Sequence, residues 1–299
     1  MTFQPSPDVD TPRRVPLKER LPLDWLGLAP FLVFVTLFLL APTMYIVVGA
    51  FRSVDGSFTF DNVIGLNTPS IRSAYWISIK ISLASASLGC LIGFAMAAAM
   101  TLGGLPKAIR GPLLTFSGVA SNFAGVPLAF AFLATLGPIG LVTVFLKTNL
   151  GLDLRMLGFN ILSFWGLTVT YLFFQIPLMI LIITPALDGL KREWREAAEI
   201  LGATGPQYWR MVAFPILFPA ILGTMALLFA NSFGAVATAI ALTGSSLNIV
   251  PILLFAQIRG DVLGDPHLGY ALAFGMIVVT GIANTIYIVL RARSERWQK

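Results

Sequence analysis

Residues 187–219 read LDGLKREWREAAEILGATGPQYWRMVAFPILFP. Trp194, Ala197, Ala198 and Leu201 recur at i, i+3, i+4 and i+7, which places them on one face of a helix. Arg192, Arg195, Glu196 and Glu199 fall on the opposite, charged face. Gly202 stops this helix, and Thr204-Gly205-Pro206 is a turn that opens the next, with Pro206 at its first position. The alanines make a narrow ridge, and Gly202 with Ala203 lets another backbone approach. Long apolar runs flank the segment on both sides, so it reads as a compact helix-turn-helix between two membrane spans.

The rest of the 299 residues supports a membrane setting. Hydrophobic residues make up 57% and charged residues 11%, against roughly 25% charged in soluble domains. Mean hydropathy is +0.83. A hydrocarbon core of about 30 Å needs roughly 20 apolar residues in a helix. Six runs without Asp or Glu meet that length: about Trp25 to Ala50, Ala74 to Thr101, Pro112 to Leu136, Asn160 to Leu187, Val212 to Leu242 and Leu268 to Leu290. The first is too long for a secretory signal and lacks an A-x-A cleavage pattern, so it is expected to stay as a span. Residues 1–24 then form a Pro-rich tail, 25–291 the membrane domain with its loop at 187–212, and 292–299 a C-terminal tail.

Lysines and arginines set the expected orientation, because positively charged loops stay in the cytoplasm. Fourteen fall in the N-tail, the second-to-third connection (Lys107, Arg110), the fourth-to-fifth connection and the C-tail; five fall in the alternate loops. Both termini are therefore expected in the cytoplasm. The net charge of +6 follows topology, and no nucleic-acid partner is implied. Lys80, inside the second span, is expected to snorkel to the outer interface.

The spans also exclude chemistry. Without mid-membrane carboxylates they lack the usual ion-coupling residues of a secondary transporter. One cysteine, Cys90, and one histidine, His267, leave no nucleophile with a base beside it and no expected metal site, even with Asp261 and Asp265 near the histidine. Ser85, Gly89, Gly93 and Ala97 make a small-residue stripe for helix packing. Asn122 and Asn231 either bond between helices or line a path. Pro42, Pro127 and Pro177 are expected to loosen their spans. The apolar segments Ile139 to Leu146 and Ile249 to Ile258 are too short to span and are expected at the interface or over the bundle.

Glu196-Ala197-Ala198, Gly202-Ala203, Trp209, Val212, Pro215 and Pro219 resemble the EAA motif of binding-protein-dependent ABC importer permeases. The match covers about 24 residues; Phe214 stands where the family more often has Leu. The resemblance implies an all-α, type I permease fold of six transmembrane helices in the bacterial inner membrane. It assigns Trp194, Glu196, Ala197, Ala198, Leu201, Gly202 and Ala203 to a coupling element that docks on a separate ATPase. The implied partners are an ATP-binding cassette ATPase dimer, a second permease subunit, a paralogue rather than a second copy, and an extracytoplasmic substrate-binding protein, beside membrane lipid. No lysine follows a glycine directly, so G-x-x-x-x-G-K-[ST] is absent. The chain is then not an enzyme and holds no cofactor, with ATP and Mg bound by the partner.

The run Phe229-Ala230-Asn231-Ser232-Phe233-Gly234-Ala235, with Asn248-Ile249-Val250-Pro251 beyond it, resembles the spermidine/putrescine branch and its relatives for aminoethylphosphonate, ferric iron and opine-like compounds. It implies a polyamine cargo, with those other solutes as alternatives. Asn122, Trp165, Tyr171, Asn231 and Ser232 are the path candidates, the aromatic rings offering cation–π contacts.

Overall fold

The structure, a computed structural model, describes residues 24–103, 106–244, 246–259 and 266–295. Residues 1–23 of the expected N-terminal tail, residues 296–299 of the expected C-terminal tail, and the pair Asp261 and Asp265 lie outside them. Two compact units divide the chain at Val48 and Gly49, and each is taken by itself.

The first unit carries α1 (Asp24–Val35) and α2 (Ala41–Ala50), the latter ending just past the boundary, joined by a π-helical turn at Thr36–Leu40. Pro42 explains the turn: it has no N–H to give to the carbonyl four residues back, and the helix widens just before it. Gly27–Ala50 is long and apolar enough to cross a membrane, as its composition predicts.

In the second unit a tight turn at Gly56 (φ 80°) leads to α3 (Asp61–Ile64) and then α4 (Pro69–Leu102). Helix α4 starts five residues before the expected Ala74, because the Thr68 hydroxyl accepts from the Ile71 N–H and Pro69 fits the first turn. Lys80 lies with its Nζ 4.9 Å from the Trp76 ring centroid.

The single third span expected from Pro112 to Leu136 is two helices, α5 (Lys107–Asn122) and α6 (Val126–Leu136). Gly125, at φ 77°, breaks the run in a conformation that L side chains resist, and Pro127 then sits in the first turn of α6. Pro127 starts a helix instead of kinking one. Helix α7 (Leu141–Leu150) follows, and Val126–Leu150 is the stretch that qualifies as the third span. Helix α8 (Phe164–Asp188) runs unbroken through Pro177.

Beyond it come α9 (Arg192–Ile200), α10 (Gly205–Tyr208) and, after a second π-turn at Trp209–Ala213, α11 (Phe214–Phe233). Pro215 stands two residues after this turn, as Pro42 does after the first. The fifth span is thus Gly205–Phe233 rather than Val212 to Leu242. Thr204 and Gln207 form a capping box that starts it early, and Gly234 ends it. The short helices α12 (Val236–Thr243) and α13 (Val250–Arg259) lead to α14 (Pro266–Glu295).

Six stretches of the described residues can cross a membrane by length and composition, and the protein is an all-helical membrane protein. The centre of the second unit is the α4–α8 contact. A Cβ added to Gly93 would lie 2.6 Å from the Met179 Cβ, and one on Gly89 2.9 Å from the Gln175 Cβ. The small-residue stripe is where two backbones meet, so close approach replaces the hydrophobic drive that lipid cannot supply.

Candidate coupling surface and translocation path

Helix α9 follows directly on α8 and is held by its own residues. Arg192 Nε donates to Glu196 at 2.9 Å, and Arg195 Nε to Glu199 at 3.0 Å, both at i, i+4. Such pairs order a short exposed helix by a few tenths of a kcal/mol each. The helix closes where the Ala203 N–H donates to the Ala198 carbonyl at 2.9 Å, with Gly202 at φ 77°. Gly202 is therefore required first by backbone conformation, and a Cβ there would meet nothing within 4 Å.

No residue of α9 is buried. Trp194 is 37% exposed, and Ile200 and Leu201 are each 86% exposed. Ala197 is exposed too, with Ala198 half-buried. An amphipathic helix that leaves its apolar ridge open on a single chain has a surface to bury elsewhere. Lys191 Nζ lies 5.8 Å from the Trp194 ring. Arg110, in the first turn of α5, pairs with Asp188 at the end of α8, which puts the start of α5 and the root of this element at one end of the bundle. Both residues come from loops that the charge count groups together, yet nothing in the sequence pairs them.

The path candidates divide. Asn122 and Asn231 are exposed, one at the end of α5 and the other near the end of α11. Asn122 Nδ2 donates to the Gly118 carbonyl at 2.9 Å. Trp165 is 58% exposed, edge-on to Phe164. Tyr171 and Ser232 are buried instead. The Tyr171 hydroxyl donates to the Ala235 carbonyl at 2.9 Å, and the Ser232 hydroxyl lies 3.1 Å from the Phe229 carbonyl. In this conformation both fasten the end of α11.

The two helix breaks meet. The Gly125 N–H, in the break after α5, donates to Thr238 Oγ1 of α12 at 2.7 Å. Backbone freed from helix is tolerated at membrane depth where protein or a polar path satisfies it. The sequence reading missed this junction and a buried polar joint as well. Gln175 Nε2 donates to Ser85 Oγ at 2.9 Å with both residues fully buried, and Gln175 Oε1 has no partner among the described residues. Ser78, on the same side of α4, accepts from the Val250 N–H at 3.0 Å. A glutamine inside an apolar span was the available signal for the joint.

The profile of the binding-protein-dependent transport system inner membrane component family matches residues 89–299. The chain belongs to this family. A sulfate transport system permease protein of Salmonella typhimurium is 26% identical over 244 residues, covering 80% of this chain and 83% of the relative. A spermidine/putrescine transport system permease protein of Haemophilus influenzae is 29% identical over 119 residues, covering 40% and 45%. The fold is shared with a bacterial ABC transporter involved in the import of alginate, at a TM-score of 0.70 and 18% identity, over 95% of this chain and 99% of the other. This family member is a multi-pass inner membrane protein and an ABC importer permease subunit, not itself an enzyme.

Proposed function

We propose that the chain forms half of a translocation path and couples it to a separate ATPase through α9 and the turn to Ala203. The observation that carries the proposal is the unburied ridge of Trp194, Ala197 and Leu201 on a self-braced helix rooted in α8. A ridge of small side chains enters a groove, and the turn at Gly202 links it to the helix that begins at Gly205, so movement of the ATPase is passed to α8 and α11. Closure of the ATPase pair on ATP draws two such elements together and opens the path outward; hydrolysis resets it. The other half of the path is a paralogous permease subunit, and an extracytoplasmic binding protein delivers the cargo. Both termini and the α9 loop lie in the cytoplasm in this reading. Asn122 and Asn231, beside the two breaks, are the polar groups proposed to face the cargo.

The polyamine reading has the support of the Phe229–Ala235 run and of the spermidine/putrescine relative. A second reading, a small oxyanion, is favoured by one observation: the expected spans hold no carboxylate to bind a polycation, while Asn122 and Asn231 place side-chain amides beside the breaks. The sulfate relative matches over twice the length of the polyamine one. The test is ATPase activity of the complex in nanodiscs with its neighbouring gene products. It is scanned against binding protein loaded with spermidine, putrescine, sulfate, aminoethylphosphonate or ferric iron. Stimulation by a polyamine-loaded protein alone supports the first reading, and stimulation by sulfate or phosphonate alone replaces it with the second. A permease that never associates with the ATPase contradicts the coupling role.

A further inference from the structure

A cavity of about 230 Å³ lies beside α9. Lys191, Arg192 and Arg195 line one wall, Tyr208 and Trp209 another, and Leu102 belongs to the apolar part. We propose that this cavity binds a phosphate-bearing anion, supplied in the membrane by the headgroup of an anionic phospholipid.

Three cations face one lining carboxylate, Glu199. Arg192 and Arg195 each use Nε on a glutamate, and a guanidinium keeps further N–H donors for a second acceptor. Lys191 rests on the Trp194 ring and makes no ion pair among the described residues.

The apolar lining fixes the depth. Leu102 is the last residue of α4, and Tyr208 and Trp209 lie in the first turns of the fifth span. All three stand at or near the ends of stretches long enough to cross a membrane, and Tyr and Trp favour the headgroup level there. Basic pockets between membrane helices at this level take anionic headgroups. The phosphate sits on the cations, and the glycerol and upper acyl chain lie against Leu102 and Trp209. The inference goes beyond the coupling role and stands if that role fails.

The test is native mass spectrometry of the full-length chain released from bilayers of phosphatidylglycerol and phosphatidylcholine. Wild type retains phosphatidylglycerol over phosphatidylcholine. K191Q and R195Q each lower that retention roughly fivefold, and K191R restores it. K147Q, remote from the cavity, leaves it unchanged. Displacement by millimolar inorganic phosphate assigns the site to a free anion, and resistance to displacement assigns it to the lipid; the anion site stands in both. Equal retention of the two lipids, or retention unaltered in a K191Q/R195Q chain with a normal unfolding transition, overturns the proposal. Unaltered retention with lost ATPase association would give these cations to the ATPase and overturn it too.

Discussion

At the scale of single residues, the most informative positions are those where backbones touch. Gly93 packs on Met179, so Gly93→Ala forces α4 from α8 and is expected to cost about 1–3 kcal/mol. Gly281 of α14 meets nothing within 4 Å, and Gly281→Ala is expected to be neutral or slightly stabilising. Thermal unfolding of both variants in the same detergent checks the contrast, and equal transitions would refute the packing argument. The buried joint makes a less intuitive prediction. Ser85→Ala strands the Gln175 amide in an apolar core, at a cost of about 1–3 kcal/mol, whereas the double change Ser85→Ala with Gln175→Leu recovers most of it. A double-mutant cycle on the same unfolding signal reads the coupling. The Ser85, Gly89, Gly93, Ala97 stripe was legible because spacing alone marks it. The Arg110–Asp188 pair was not, because 78 residues separate its members and no local pattern joins them.

At the scale of elements, hydropathy located the spans better than it located their interruptions. The runs from Pro112 to Leu136 and Val212 to Leu242 hold no charged residue, so hydropathy averages across each break even though Asn122 and Asn231 stand three residues before Gly125 and Gly234. What betrays the breaks is backbone chemistry: Gly125 two residues before Pro127, and Gly234 before Ala235. The π-turns are marked the same way, by Pro42 and Pro215. The junction of the breaks rests on the Gly125–Thr238 bond. Thr238→Val keeps shape and removes the acceptor, and faster hydrogen exchange at Gly125 with little change elsewhere is expected. In the loop after α7, Lys147 bonds to Asp153 at 3.0 Å. That contact, followed by the Arg155 N–H, holds the Asp153 carboxyl below its ordinary value. The stabilisation is therefore present above the unfolded value near 3.9 and is lost as pH falls through the lower native one. Protease protection of this loop should fall in acid for wild type and show no such step in Asp153→Asn.

At the scale of the whole molecule, composition specified the membrane, and the length of the apolar runs specified the number of spans and the helical class. The charge count adds an orientation that labelling can check. Cys90 is buried, so single cysteines placed at Arg192 and Asp153 in a Cys90→Ala chain report the two faces. Impermeant maleimide applied outside sealed spheroplasts should label position 153 and spare 192; the reverse would invert the proposed topology. The family is legible from one loop, whereas the cargo is not. A path built from amides and helix ends carries little chemical signature, and selectivity is proposed to rest largely with the binding protein.

The central claim is that the α9 ridge transmits the work of an ATPase. Ala197→Trp places a large ring on that ridge without touching the Gly202 backbone or the Arg–Glu pairs. The deciding measurement is binding-protein-stimulated ATP hydrolysis and uptake by the reconstituted complex carrying this variant. The account predicts a chain that inserts and unfolds like wild type but loses ATPase association or stimulated uptake by at least about tenfold, the effect of 1.4 kcal/mol at a contact. Wild-type association, stimulation and uptake would contradict it.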